Sequence, residues 1–207
     1  MSTHDWILFA SATLALNLTP GPDMLYVSAR SIAQGRRAGI LSALGVASGC
    51  IVHMSLVAFG LARLLASVPL AYEIVRYTGA AYLIYLGIRL LIDARAELAQ
   101  PVAVQSGSRV FLQGLVTNVL NPKVALFFLA FLPQFADPAR GALWWQFLEL
   151  GVLFNLSGTV VNVTVALLAS ATGGLARDGG VAGLWLRRLS ATVFIGLGAR
   201  LAFASGR

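Results

Sequence analysis

Charge is scarce in this chain: Asp, Glu, Lys and Arg make up 11% of its 207 residues, against about a quarter in a soluble domain. That excludes a conventional soluble globular protein. Cysteine is nearly missing, and Cys50 alone excludes an intrachain disulfide while saying little about compartment. Acidic residues number 8 against 15 basic ones, for a net charge of +7. The basic residues lie between apolar runs instead of forming a stripe on a polar surface, so nucleic acid is not the expected partner. Nucleophile and base pairs, phosphate loops and dinucleotide fingerprints are lacking, so neither an enzyme nor a cofactor is expected. The N-terminus Met1-Ser2-Thr3-His4-Asp5 offers no Lys or Arg ahead of the first apolar run, and no small-residue cleavage site follows it. The first apolar run is therefore read as a retained span and not a signal peptide.

What the chain has in quantity is apolar length. Hydrophobic residues make up 58% and mean hydropathy is +0.81, which marks an integral membrane protein. A window of about 20 apolar residues picks out six segments, at about 6–32, 40–65, 71–92, 111–135, 146–170 and 186–204. Outer-membrane strands would be about 10 residues of strict alternation, which these unbroken runs contradict. The sequence therefore predicts an all-α, polytopic membrane protein with six transmembrane helices, residues 1–207 forming a single transmembrane domain.

Lys and Arg are unevenly shared among the connections. The first, third and fifth hold Arg30, Arg36 and Arg37, then Arg89, Arg95 and Arg109, then Arg177, Arg187 and Arg188; the other side has only Arg63, Arg76, Arg140, Arg200 and Arg207. The positive-inside rule puts the first group in the cytoplasm and both termini in the periplasm. Three spans per half then enter from opposite sides, which predicts two inverted three-helix repeats.

Two of the spans are interrupted. Leu18-Thr19-Pro20-Gly21-Pro22-Asp23 sets two prolines, a glycine and a carboxylate inside the first, and Asn118-Val119-Leu120-Asn121-Pro122-Lys123 sets amides, a proline and a cation inside the fourth. Proline removes a helical donor and crowds the preceding turn, so helices 1 and 4 should break there. Broken backbone at membrane depth survives only where it is buried in protein or lines a watery cavity, and matching breaks in two halves point to a transporter's binding site.

Together with Arg30-Ser31-x-x-Gln34-Gly35-Arg36-Arg37-Ala38-Gly39 and Gly79-Ala80-Ala81-Tyr82-Leu83-x-Tyr85-Leu86-Gly87, these two motifs resemble the LysE/RhtB family of bacterial amino-acid exporters along essentially the whole chain. The resemblance implies a secondary transporter of the bacterial inner membrane that exports amino acids, neutral ones of the threonine or homoserine kind, by proton antiport with alternating access. It does not fix the substrate, because relatives are credited with basic, hydroxylated, sulfur-containing and branched amino acids. A metal-ion or other small-solute exporter or channel on the same scaffold is the alternative, and a non-catalytic membrane subunit a third reading. A homo-oligomer is left open.

Asp23 and Lys123 are the ionisable side chains placed nearest the bilayer midplane, where such groups are functional by default. Either they form a structural ion pair, or Asp23 takes the substrate ammonium or a proton while Lys123 draws the carboxylate. The helix starts after Pro22 and Pro122 offer free N–H groups to the same carboxylate. Asn17, Thr19, Asn118 and Asn121 either touch substrate or satisfy carbonyls freed by Pro20, Gly21, Pro22 and Pro122. Tyr82 and Tyr85 share a face of the third span, for packing or for lining a side-chain pocket. Asn155 and Asn162, about two turns apart, are expected to face the cavity, and His53 is a candidate proton relay. Cys50 and His53 lack a second cluster to complete a metal shell, so no metal is expected. Gly45-x-x-x-Gly49 marks a close helix contact within the monomer or at a dimer seam.

Overall fold

The computed structural model describes residues 1–61 and 103–172, and single helical positions at 74, 77, 78, 80, 81, 84, 85, 88, 91, 92, 188, 191, 192, 195, 196, 198, 199 and 202. Everything described is helix, turn or short connection. The third and sixth predicted spans lie mostly outside the described residues, as does Tyr82.

Helix α1, Thr3–Leu18, opens on a capping box in which Ser2 Oγ accepts from the Asp5 N–H and the Asp5 carboxylate accepts from the Ser2 N–H. It stops where Thr19 and Gly21, each preceding a proline, are extended, since a following proline disfavours helical geometry. Helix α2, Pro22–Ser55, restarts at once with Pro22 in its first turn, where the missing N–H costs nothing. A π-helical turn, Leu56–Leu61, follows it. The second break repeats this grammar. Helix α3, Gly107–Val119, ends before Asn121, which is extended ahead of Pro122, and helix α4, Pro122–Ala130, begins with that proline. Together with the 3-10 turn Leu132–Phe135, α4 is bent from α3 by 48°. A second 3-10 turn, Pro138–Arg140, leads to helix α5, Leu143–Thr172.

Helix α2 is not straight. At Gly35 the backbone takes φ +80°, a region side chains with a Cβ avoid, and the chain reverses. Ser31 and Gly39 would stand about 12 Å apart on a continuous helix, yet a Cβ at Gly39 would collide with the Ser31 side chain. Val27 and Ala43 belong to one buried cluster, and Asp23 lines the same cavity as Val46 and Ala47. Each pair is centred roughly on Gly35, so residues 22–34 and 36–55 are antiparallel arms of one hairpin. The expected first connection is thus a turn of one residue. By length and composition, Pro22–Gly60, Leu143–Ala171 and the bent pair Gly107–Val119 with Pro122–Phe135 are apolar enough to cross a membrane, and the reversal at Gly35 divides the first of these.

Arg30, counted above with a cytoplasmic connection, is a buried helical residue, 5% exposed. Its guanidinium donates to Gln34 Oε1, Gln113 Oε1 and the Ala103 carbonyl at 2.7–2.9 Å. Burying a cation demands partners for its donors, and here neutral oxygens meet both terminal nitrogens while Nε stays buried without one, tying 103–105 to the first arm with help from a Gln34 bond to the Gln105 carbonyl.

Small residues bring α2 against α3. A Cβ on Gly45 would strike the Phe111 carbonyl, one on Gly49 would lie 2.6 Å from the Leu115 carbonyl, and one on Gly114 would lie 2.6 Å from the Ser42 carbonyl. The Gly45-x-x-x-Gly49 motif is therefore a contact inside the monomer. On the other side Phe9, Phe127, Phe128, Phe131, Phe135, Phe147 and Phe154 form one buried cluster with Leu16 and Leu132, with ring centroids 4.8–5.4 Å apart for several pairs. Lipid is as apolar as these rings, so what the cluster supplies is close packing that fixes α1, α4 and α5 around the breaks.

Candidate functional site

The two breaks meet. Between them and α5 lies a partly open cavity of about 440 Å³ with its open mouth included, whose polar lining is Asn17, Thr19, Asp23, Asn118, Lys123, Asn155, Thr159 and Asn162. Water-sized molecules can place their centres in about 30 Å³ of it, room for about two or three waters.

Asp23, in the first turn of α2, is 8% exposed. Its Oδ2 accepts from Asn118 Nδ2 at 2.8 Å and from Asn121 Nδ2 at 2.9 Å, while its Oδ1 is buried with no partner. The Asn121 amide is oriented without ambiguity: Oδ1 caps α4 by accepting from the Lys123 N–H at 3.0 Å, which leaves Nδ2 to donate. Asn118 also keeps a buried Oδ1 with no partner. His53 Nε2 lies 3.0 Å from the Asn118 carbonyl, and since a carbonyl only accepts, that nitrogen carries the hydrogen.

Lys123 is the single lysine of the chain. Its Nζ donates to the Leu16 carbonyl at 3.1 Å and the Thr19 carbonyl at 2.9 Å, so a cation from α4 satisfies the carbonyls that the prolines leave open at the end of α1. An ammonium has three donors, and one remains for the cavity that Lys123 lines. Asp23 and Lys123 thus form no direct ion pair, because each holds neutral partners instead. Gly21 makes room for this arrangement: its φ of −163° suits any residue, but a Cβ there would lie 3.0 Å from Lys123 Nζ.

The other expected residues divide clearly. Asn17 donates to Ser157 Oγ at 3.0 Å and Asn155 to the Ala47 carbonyl at 3.2 Å, and both line the cavity with Asn162. Thr19 Oγ1 bonds back to the Ala15 carbonyl. Asn121 holds Asp23 from behind and lies outside the cavity lining, as do Pro20, Gly21, Pro22 and Pro122, which shape the breaks. His53 reaches Asp23 only through Asn118. Tyr85 is about half exposed and is not part of the lining. The α2 start has no side-chain cap and carries the carboxylate of Asp23 in its first turn, while at the α4 start Asn121 Oδ1 already takes the Lys123 N–H. Residues missed by sequence reasoning include Thr159, which the i, i+4, i+7 spacing of Asn155, Thr159 and Asn162 would have revealed. Met24, Val46, Ala47 and Gly158 carry no signal that separates them from packing residues.

A helical protein with apolar segments of spanning length, whose interrupted helices converge on a buried polar cavity, has the build of a membrane transporter. The particular family follows from comparison: the model of the LysE type translocator matches residues 14–205, and the chain belongs to that family. A homoserine/homoserine lactone efflux protein of Salmonella typhimurium is 35% identical over 170 residues, 82% of each chain. An uncharacterized membrane protein of Vibrio cholerae is 30% identical over 206 residues, 99% of each, and a leucine efflux protein of Salmonella typhimurium is 37% identical over 123 residues, 58% of each. No solved structure matches the chain.

Proposed function

We propose that this protein is a secondary exporter of neutral amino acids in the bacterial inner membrane, working by proton antiport with alternating access. The observation that carries the reading is the cavity at the two breaks, lined by Asp23, whose Oδ1 lies buried beside it without a partner, and by Lys123, whose ammonium gives only two of its donors to carbonyls. Those are the complements of an amino acid's ammonium and carboxylate. Asn17, Asn155 and Asn162 complete the polar wall, and a side chain the size of threonine's or leucine's projects towards Met24, Val46 and Phe154. The cavity admits only a few waters as it stands, so the substrate-loaded state is wider, as alternating access requires.

In this reading α1 and the first arm of α2 are span one, the second arm span two, α3 with α4 span four and α5 span five. Six spans in two inverted repeats put both termini on one side, and the bias of arginines towards the odd-numbered connections makes that side the periplasm. Purified protein in proteoliposomes supplies the test. With a pH gradient imposed across the membrane, labelled L-threonine, L-homoserine or L-leucine should move against its own gradient, and Asp23→Asn should not move it. A protein that inserts and melts cooperatively yet moves none of the three would overturn the proposal.

A further inference from the structure

Resting on the exporter reading above, one feature of the site goes further. Asp23 Oδ2 already receives two amide N–H groups, which fills its in-plane lone pairs, while Asp23 Oδ1 and Asn118 Oδ1 are both buried acceptors with no hydrogen to accept. Two such atoms on a pair of side chains already joined by one hydrogen bond are costly unless something lies between them. An amide and a carboxylic acid meet edge to edge through two hydrogen bonds, one N–H to carboxyl oxygen and one O–H to amide oxygen. The first is in place, and a proton on Asp23 Oδ1 would supply the donor for the second.

We infer that the exported amino acid's ammonium group and the antiported proton compete for this one position, the space between Asp23 Oδ1 and Asn118 Oδ1, so that neither is held while the other is bound. The conformation described is the proton-loaded one. Neither oxygen is reached by a water-sized molecule, so an ammonium has no access, whereas a proton needs no room. When the cavity widens, the ammonium donates to both oxygens, the Asp23 O–H bond breaks heterolytically, and the proton leaves to the water on that side. At this one position a positive charge replaces another, while the substrate's carboxylate falls to the Lys123 ammonium.

The charged or titratable groups around Asp23 are Lys123 on α4 and His53 and Cys50 on the second arm of α2. Lys123 is committed to the Leu16 and Thr19 carbonyls, and His53 to the Asn118 carbonyl. The facing residues of α5, Asn155, Thr159 and Asn162, carry no charge. Among the described residues, no other carboxylate lines the cavity to take the proton in Asp23's place.

The experiment is proton release on binding. Purified protein in weakly buffered detergent solution, with a pH-indicating dye, is titrated with L-homoserine and with L-leucine, and affinity is measured in parallel across a pH series. Competition predicts about one proton released per amino acid bound at acidic pH, with affinity weakening by about tenfold for each pH unit of acidification. N-acetyl-L-leucine, which has no ammonium, should neither bind nor release a proton. Asp23→Asn should give no release, and wild-type protein alone suffices for the decision should that variant fold poorly. Binding of an amino acid with no proton released and with affinity independent of pH overturns the shared position while leaving the exporter reading intact. Binding of N-acetyl-L-leucine with equal affinity also overturns it. Failure to bind any amino acid, together with failure to transport one, overturns both.

Discussion

Asn121 performs two tasks with one amide, and substitution can separate them. Its Oδ1 caps α4 through the Lys123 N–H at 3.0 Å, its Nδ2 holds Asp23 Oδ2 at 2.9 Å, and the side chain is 1% exposed. Replacement by alanine removes both contacts. The lost cap costs about 1 kcal/mol, and the lost side-chain hydrogen bond costs about 1 kcal/mol more in this setting. Asn121→Ser keeps a hydroxyl that caps equally well but cannot reach Asp23, so it should lose only the second contribution. At about 2–4 °C per kcal/mol for a chain of this size, alanine should lower the melting temperature by about 4–8 °C and serine by about half that. Tryptophan fluorescence in detergent reads the melting, since the chain has 4 tryptophans, and proteoliposome transport reads the site. Transport should fall in both variants, because Asp23 loses a donor in both. If serine melts no higher than alanine, Oδ1 is not acting as a cap. If serine matches the wild type in both melting and transport, the bond to Asp23 does no work.

Three further outcomes follow from the same geometry. Gly21→Ala should push Lys123 off the Leu16 and Thr19 carbonyls, because its Cβ would lie 3.0 Å from Nζ; faster reaction of this single lysine with an amine-directed reagent, with transport lowered several-fold, would show it, and unchanged labelling would count against the contact. Gly45→Val should separate α2 from α3 by its clash with the Phe111 carbonyl, costing about 1–3 kcal/mol or more, and a variant that melts like the wild type would refute the close approach. The Asp5 carboxylate is held below its ordinary 3.8 by the Ser2 backbone N–H and then the Ser2 hydroxyl; its capping contribution is present above that value and is lost as pH falls through the lower folded one. The melting difference between wild type and Ser2→Ala should therefore shrink below about pH 4, and a difference that stays constant into stronger acid would contradict the assignment.

Much of this arrangement is legible in the letters, and the reason is that proline acts locally. Pro20, Pro22 and Pro122 dictate where helices stop and restart whatever surrounds them, so both breaks are readable without knowledge of the fold. The convergence of Asp23 with Asn118 and Asn121 is only half readable. That a buried carboxylate needs partners follows from its chemistry, but the sequence offers Lys123 as the obvious one. The choice of amides over the cation depends on Lys123 being drawn to the open carbonyls of α1, and that is a tertiary fact. Arg30 misleads for a related reason: a cation beside Arg36 and Arg37 reads as part of a basic loop, and only the approach of Gln113 and the Ala103 carbonyl shows why it is buried. Gly35 is the sharpest case. The gap between the first two apolar segments contains it, but that the reversal takes a single residue and not a loop depends on Ser31 and Gly39 meeting across it.

That reversal at Gly35 also governs how the chain can change in length. The two arms of α2 face each other position by position outward from the turn, with Asp23 at the far end of one and Val46 and Ala47 opposite on the other. One residue inserted between Asp23 and Gly35 would swing Asp23 by about 100° around its arm and shift it by about 1.5 Å, removing it from Asn118 and Asn121. A matching insertion in the opposite arm would not restore it, because α3 is locked to that arm through Gly45, Gly49 and Gly114. Insertions and deletions compatible with a working site are therefore confined to segments outside 23–49, and within that stretch the protein can vary its side chains but not its count of residues.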